Sequence, residues 1–178
     1  MKKGQFVLGV MVSNQFGVLA RISGLFSRRG YNIDSLTVGE TERPEYSRMT
    51  IVATGDAYIQ EQIVKQLEKL QEVHKVEILS PADIVSRELL LIKIAAKQGK
   101  RAELMEAVQV FRCKVVDFTS ESVSIEVTGE DSKLDAFIEY ARDYGILEMC
   151  RTGITALERG PQTLLKADIQ EEHTDETN

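Results

Sequence analysis

The chain has 178 residues, 43% of them hydrophobic, enough for one medium domain or two small ones with a real core. A formal charge of −6 and a pI near 5.1 exclude a broad basic face of the kind that holds nucleic acid. No apolar run reaches membrane-spanning length, and MKKGQFVLGVMVSNQ lacks a small-residue cleavage site, so a mature cytoplasmic protein is expected.

QFVLGVMV opens the chain as an unbroken apolar run, the pattern of a strand buried on both faces. From Gly17 to Arg29 the period changes to that of an amphipathic helix: Leu19, Ile22 and Phe26 recur at helical spacing, with Val18 and Leu25 broadening the stripe. Arg28 and Arg29 suit the negative end of the helix dipole, and Gly30 suits a left-handed position just beyond it. NIDSLTVG reads as a strand, and ETERPE as a polar turn around Pro44. SRMTIVATG then alternates strictly, with Met49, Ile51 and Ala53 on one face and Arg48, Thr50 and Val52 on the other. Asp56 caps a second helix carrying Ile59, Ile63, Leu67 and Leu70, and VHKVEIL closes the unit. The order is βαββαβ, the ferredoxin-like arrangement.

After SPADIVS, with Pro81 as a breaker, the same grammar returns. RELLLIKIAA is a strand, and GKRAELMEAVQVF a helix with Leu104, Val108 and Phe111 on its stripe. CKVVDFT and SVSIEVTG form a strand pair. DSKLDAFIEYARDYG is a helix with Leu134, Ile138 and Ala141 on one face, ending at Gly145, and ILEMCRTGITAL is a single last strand. VATGD in the first half is echoed by EVTGED in the second, each ahead of a helix. An α+β chain of two ferredoxin-like domains is expected, over residues 4–80 and 87–160, with a linker at 81–86 and a mostly disordered acidic tail at 161–178.

Catalytic chemistry is sparse. Cys113 and Cys150 stand in no CxxC pair and read as reduced thiols. His74 and His173 cannot assemble a zinc cluster, no nucleophile elbow occurs, and GxGxxG and GxxxxGK[ST] are both absent.

What remains is the turn NQFGVL. The first turn of a helix offers N–H groups without internal partners and a partial positive charge, which suits a carboxylate or phosphate. Gly17 lets an anionic group approach the backbone, and the Asn14 amide can meet either end of a zwitterion. Each residue also has a plainer reading: Asn14 as a cap or turn residue, Gly17 as relief of crowding, Asn32 as turn chemistry beside Gly30. Asn32 lies beyond the far end of the helix, about 20 Å from Asn14, too far for one small ligand within one subunit. NIDSLTVG is an edge strand in this topology and is neither short nor lysine-blocked, so a homodimer is expected to pair it. Across such a dimer the two asparagines could meet.

Taken together, NQFGVLARISGLFSRRGYNIDSLTVG followed by SRMTI resembles the acetolactate synthase (acetohydroxyacid synthase) small-subunit family, over residues 4–160. The resemblance implies an ACT domain in the first half and a family-specific domain of related topology in the second. It implies a noncatalytic partner of a large catalytic subunit that carries thiamine diphosphate, Mg and FAD, this subunit carrying none. It further implies activation of that subunit and feedback inhibition in branched-chain amino acid synthesis, usually by valine. The effector-site residues implied are Asn14, Gly17, Val18, Asn32 and Ile33. Gln15 and Phe16 depart from the family, whose members often carry an acidic residue and a smaller one there. Three other classes stay open on the residues alone: a tandem amino-acid sensor acting on a different enzyme or on transcription, a stand-alone synthase, and an RNA-binding ferredoxin-like sheet. The last needs exposed aromatics that VMV and MTIVA lack.

Overall fold

Every residue from Phe6 to Val12 is buried, as an apolar run with no polar face requires. This strand, β1 (Gln5–Ser13), is followed by α1 (Val18–Arg29), β2 (Ile33–Glu40), β3 (Tyr46–Thr54), α2 (Ala57–Leu67) and β4 (Val73–Leu79). The order then repeats as β5 (Ile84–Ala95), α3 (Arg101–Val110), β6 (Lys114–Phe118), β7 (Ser122–Gly129), α4 (Asp131–Ala141) and β8 (Ile146–Arg151), with β9 (Thr155–Glu158) last. The computed structural model describes residues 4–95 and 99–164. It has the expected α+β architecture of two βαββαβ units, with antiparallel sheets in the orders β2-β3-β1-β4 and β6-β7-β5-β8 and β9 also pairing with β5.

The chain divides into two compact units. One comprises residues through Val85 together with the segment that starts at Ala156; the other is Ser86–Thr155. In the first, Phe6, Leu8, Val10 and Val12 of β1 and Met49, Ile51 and Ala53 of β3 pack against α1 and α2. The buried stripe of α1 is Val18, Ile22, Leu25 and Phe26. Leu19, expected on that stripe, is instead 43% exposed, because Val18 takes the inward position one residue earlier. Gly30 adopts φ 69° and closes the helix, as its place after two arginines implies. Asp56 caps α2 by accepting a 2.9 Å bond from the Ile59 N–H. Asp56→Ala should therefore lower the unfolding free energy by about 1 kcal/mol, read from urea denaturation.

The second unit buries Leu90, Ile92 and Ile94 of β5 with Val123, Ile125 and Val127 of β7 beneath α3 and α4. Glu88 is only 7% exposed, and its charge is met by Arg151, which also holds Asp135 at 2.5 Å. Arg151→Ala strands the Glu88 carboxylate and should cost about 3 kcal/mol of stability in the same measurement. Cys113 and Cys150 are free thiols, and burial raises the pKa of Cys113.

Three features differ from the sequence expectation. The single last strand is broken into β8 and β9, because Thr152 exchanges bonds with Leu89 through both its N–H and its hydroxyl in place of the regular ladder. β5 begins at Ile84, inside the stretch expected as linker. Leu164, in the stretch expected as tail, is 3% exposed; residues 165–178 lie outside the described residues. Among the described residues no helix is long and apolar enough to cross a membrane.

Candidate functional site

The mouth of α1 is fastened to the sheet at several points. The Asn14 N–H donates to the Glu45 carbonyl at 2.7 Å, and Ser13 is bonded to the Glu72 carbonyl and, through its hydroxyl, to His74 at 2.8 Å. Arg21, one turn into the helix, pairs with Glu72. Asn14 does not cap the helix. Its side-chain amide donates to Glu40 Oε2 at 3.1 Å and to the Pro44 carbonyl at 2.9 Å, which ties the end of β1 to the end of β2.

Gly17 occupies the N-cap position with φ 85°, and no side chain caps the helix. The first helical bond to it comes from Arg21, so Leu19 and Ala20 have no acceptor within the helix for their N–H groups. No acidic residue lies in the first turn to neutralise the positive dipole end. A Cβ at Gly17 would meet nothing within 4 Å, so the space over the mouth is open. Phe16 stands fully exposed beside it. The Val18 side chain is in the core, so only its backbone can face a ligand.

Asn32 and Ile33 are at the other end of the same strand. The Asn32 amide donates to Asp34 Oδ1 at 2.6 Å, and Asp34 Oδ2 accepts from Thr54 and Gln5. Ile33 pairs with Ala53 and packs against the first core, while Glu40 pairs with Ser47. Asn14 and Asn32 are thus separated by the length of β2, about 23 Å for seven steps. Within one chain the structure groups Asn14, Gly17 and Val18 at one end and Asn32 and Ile33 at the other.

Two carboxylates that the sequence reading does not single out complete these ends: Glu40 beside Asn14 and Asp34 beside Asn32. Glu40 is brought to Asn14 by strand register, which could have been counted outward from the ETERPE turn, whereas Asp34 lies two residues along the chain from Asn32. The helix mouth therefore offers free N–H groups close to a carboxylate and an amide, a pattern that matches the two charged ends of an amino acid.

Comparison with known proteins agrees across both halves of the chain. Residues 8–75 match the AHAS small subunit-like ACT domain, and residues 87–160 match the small subunit of acetolactate synthase. The chain is 51% identical over 153 residues to a probable acetolactate synthase small subunit of Archaeoglobus fulgidus, covering 86% of this chain and 96% of that one. It is 48% identical over 155 residues to the acetolactate synthase small subunit of Mycolicibacterium smegmatis, covering 87% and 91%. The crystal structure of the acetolactate synthase small subunit of Thermotoga maritima superposes with a TM-score of 0.83 at 41% identity, over 89% of this chain and 99% of that one. With its two halves matched and its fold shared, the chain belongs to the acetolactate synthase small-subunit family.

Proposed function

We propose that this chain is the noncatalytic regulatory subunit of a cytoplasmic acetolactate synthase. It activates a large catalytic subunit, which carries thiamine diphosphate, Mg and FAD, and imposes feedback inhibition by valine on branched-chain amino acid synthesis. The observation that carries the sensing role is the placement of the two asparagines at opposite ends of the edge strand β2.

Antiparallel pairing of β2 with its copy sets the start of one strand beside the end of the other. Opposed residues must share a face, and in this arrangement the helices of both copies lie on the same side of the joined sheet. Pairing centred on Leu36 sets Asn32 of one copy opposite Glu40, hence beside the Asn14 amide, of its partner, and pairing centred on Thr37 sets Asp34 there, two residues from Asn32. The valine carboxylate takes the N–H groups at the mouth of α1, its ammonium meets Glu40 and the asparagine amides, and its isopropyl group lies against the apolar edge. Binding tightens that interface, and the altered dimer holds the catalytic subunit in a less active form. Such coupling is typically ~1–3 kcal/mol, about five- to 150-fold in affinity.

The test is to mix the purified chain with an acetolactate synthase catalytic subunit and assay acetolactate formation with and without valine. Activity should rise on mixing and fall again on adding valine. No affinity for the catalytic subunit contradicts the assignment and favours a sensor that acts on another enzyme.

A further inference from the structure

The helices cover one face of the β2-β3-β1-β4 sheet. On the other face, Val7, Gly9 and Met11 of β1 align with Val52, Thr50 and Arg48 of β3 and with Leu79, Glu77 and Lys75 of β4. Val7, Met11, Thr50, Val52 and Leu79 are nonetheless buried. The chain beyond the last strand of the second unit contributes the cover. A Cβ at Gly9 would stand 2.9 Å from Leu164 Cδ1, so the missing side chain is the space that Leu164 fills. Ala156, 1% exposed, accepts a 2.9 Å bond from Arg48 Nη2, and the Arg159 N–H donates to the Asp83 carbonyl at 2.7 Å.

Arg48 is an unusual anchor for such a contact. Its Nε is buried and has no hydrogen-bond partner among the described residues. Burial lowers its pKa, and only Glu158 and Glu77 offset that effect. Apolar residues in its place would hold the segment with less desolvation cost. Arg48 also sits close to the helix mouth through the sheet. It pairs with Gly39 of β2 and Met11 of β1, while its neighbours Ser47 and Tyr46 pair with Glu40 and with Ser13, the residue before Asn14. A ligand that moves the ends of β1 and β2 moves the ladder on which Arg48 stands.

We infer that residues 156–164 form a strap, seated on the open face of the sensing sheet by Arg48 and by the Gly9–Leu164 contact, whose seating follows effector occupancy and carries it along the chain to the second domain. The inference rests on the effector site proposed above and adds its route of transmission. Gly39, Ser47 and Arg48 lie on that route without touching the ligand, and Arg48 acts as a positioning residue.

The experiment uses the full chain with its catalytic subunit. In the wild type, saturating valine should slow amide hydrogen exchange in 156–164 at least fivefold. Gly9→Val pushes Leu164 off the sheet, and Leu164→Ala loosens the strap while leaving β1 untouched. Both variants should still bind valine by calorimetry, weakened by no more than the coupling factor. Both should need at least fivefold more valine for half-inhibition of the holoenzyme. Strap exchange indifferent to valine, or wild-type inhibition in both variants, overturns the strap while leaving the effector site standing. A wild-type chain that binds no valine overturns the effector site and the strap together.

Discussion

With the effector site proposed above, Gly17→Asp should weaken valine binding severely while leaving the fold intact. Two separate effects combine at this position. The backbone there has φ 85°, a left-handed conformation that costs a residue with a Cβ about 1–2 kcal/mol. That strain is borne by the free and the bound chain alike, so it lowers stability modestly and does not itself remove the ligand. The second effect is electrostatic. A new carboxylate would enter open space at the helix mouth, where the proposed site places the valine carboxylate, and it would meet the helix dipole in the ligand's place. Competition and like-charge repulsion together should weaken binding by about 100-fold or more, roughly 3 kcal/mol. Gly17→Ala carries the strain without the charge and should lose far less. Calorimetry on the two variants, with circular dichroism as a fold control, separates the effects. Equal losses would mean that the backbone conformation matters and the anion cradle does not.

Thr37→Lys should weaken the proposed dimer and, with it, valine binding, with every proposed ligand contact left in place. With pairing centred on Leu36 or Thr37, the two new ammonium groups face each other directly or across one diagonal, where lysines are effective blockers of edge pairing. A cost of about 2 kcal/mol raises the dimer dissociation constant roughly 30-fold. Sedimentation equilibrium reads that shift, and valine binding should fail in step with dissociation at low protein concentration. A monomeric variant that still binds valine at full affinity would place the site within one chain.

How much of this was legible in the sequence depended on whether the deciding contact is local. β1 could be read because it is apolar at every position, the α2 start because Asp56 precedes a helical stripe, and the α1 end because Gly30 follows two arginines. Gly17 could be read for the same reason, being adjacent to the helix it opens, whereas Asn14 does not cap that helix and bonds Glu40 and the Pro44 carbonyl instead. Placing Leu19 on the buried stripe alongside Val18 failed because neighbouring apolar residues fit the helical period almost equally well. Glu40 was hidden because its partner lies across strands, where only register reveals it, as were the Thr54 and Gln5 partners of Asp34. The seating of Leu164 was hidden more deeply, since two leucines before an acidic tail carry no period. Its one signal was Gly9, a glycine inside an otherwise apolar strand, which marks a close approach by another chain segment.

Complementation between two defective chains tests the proposed shared site most directly. Gly17→Asp damages the mouth of one copy, and Asn32→Ala removes the amide supplied by the other, so each homodimer has both sites broken. In a mixed dimer one site inherits both defects and the other inherits neither. Random exchange makes about half the dimers mixed, so the mixture should regain about a quarter of the wild-type valine sites at wild-type affinity, as measured by calorimetry. A mixture as inert as its two components would contradict a site built from both copies.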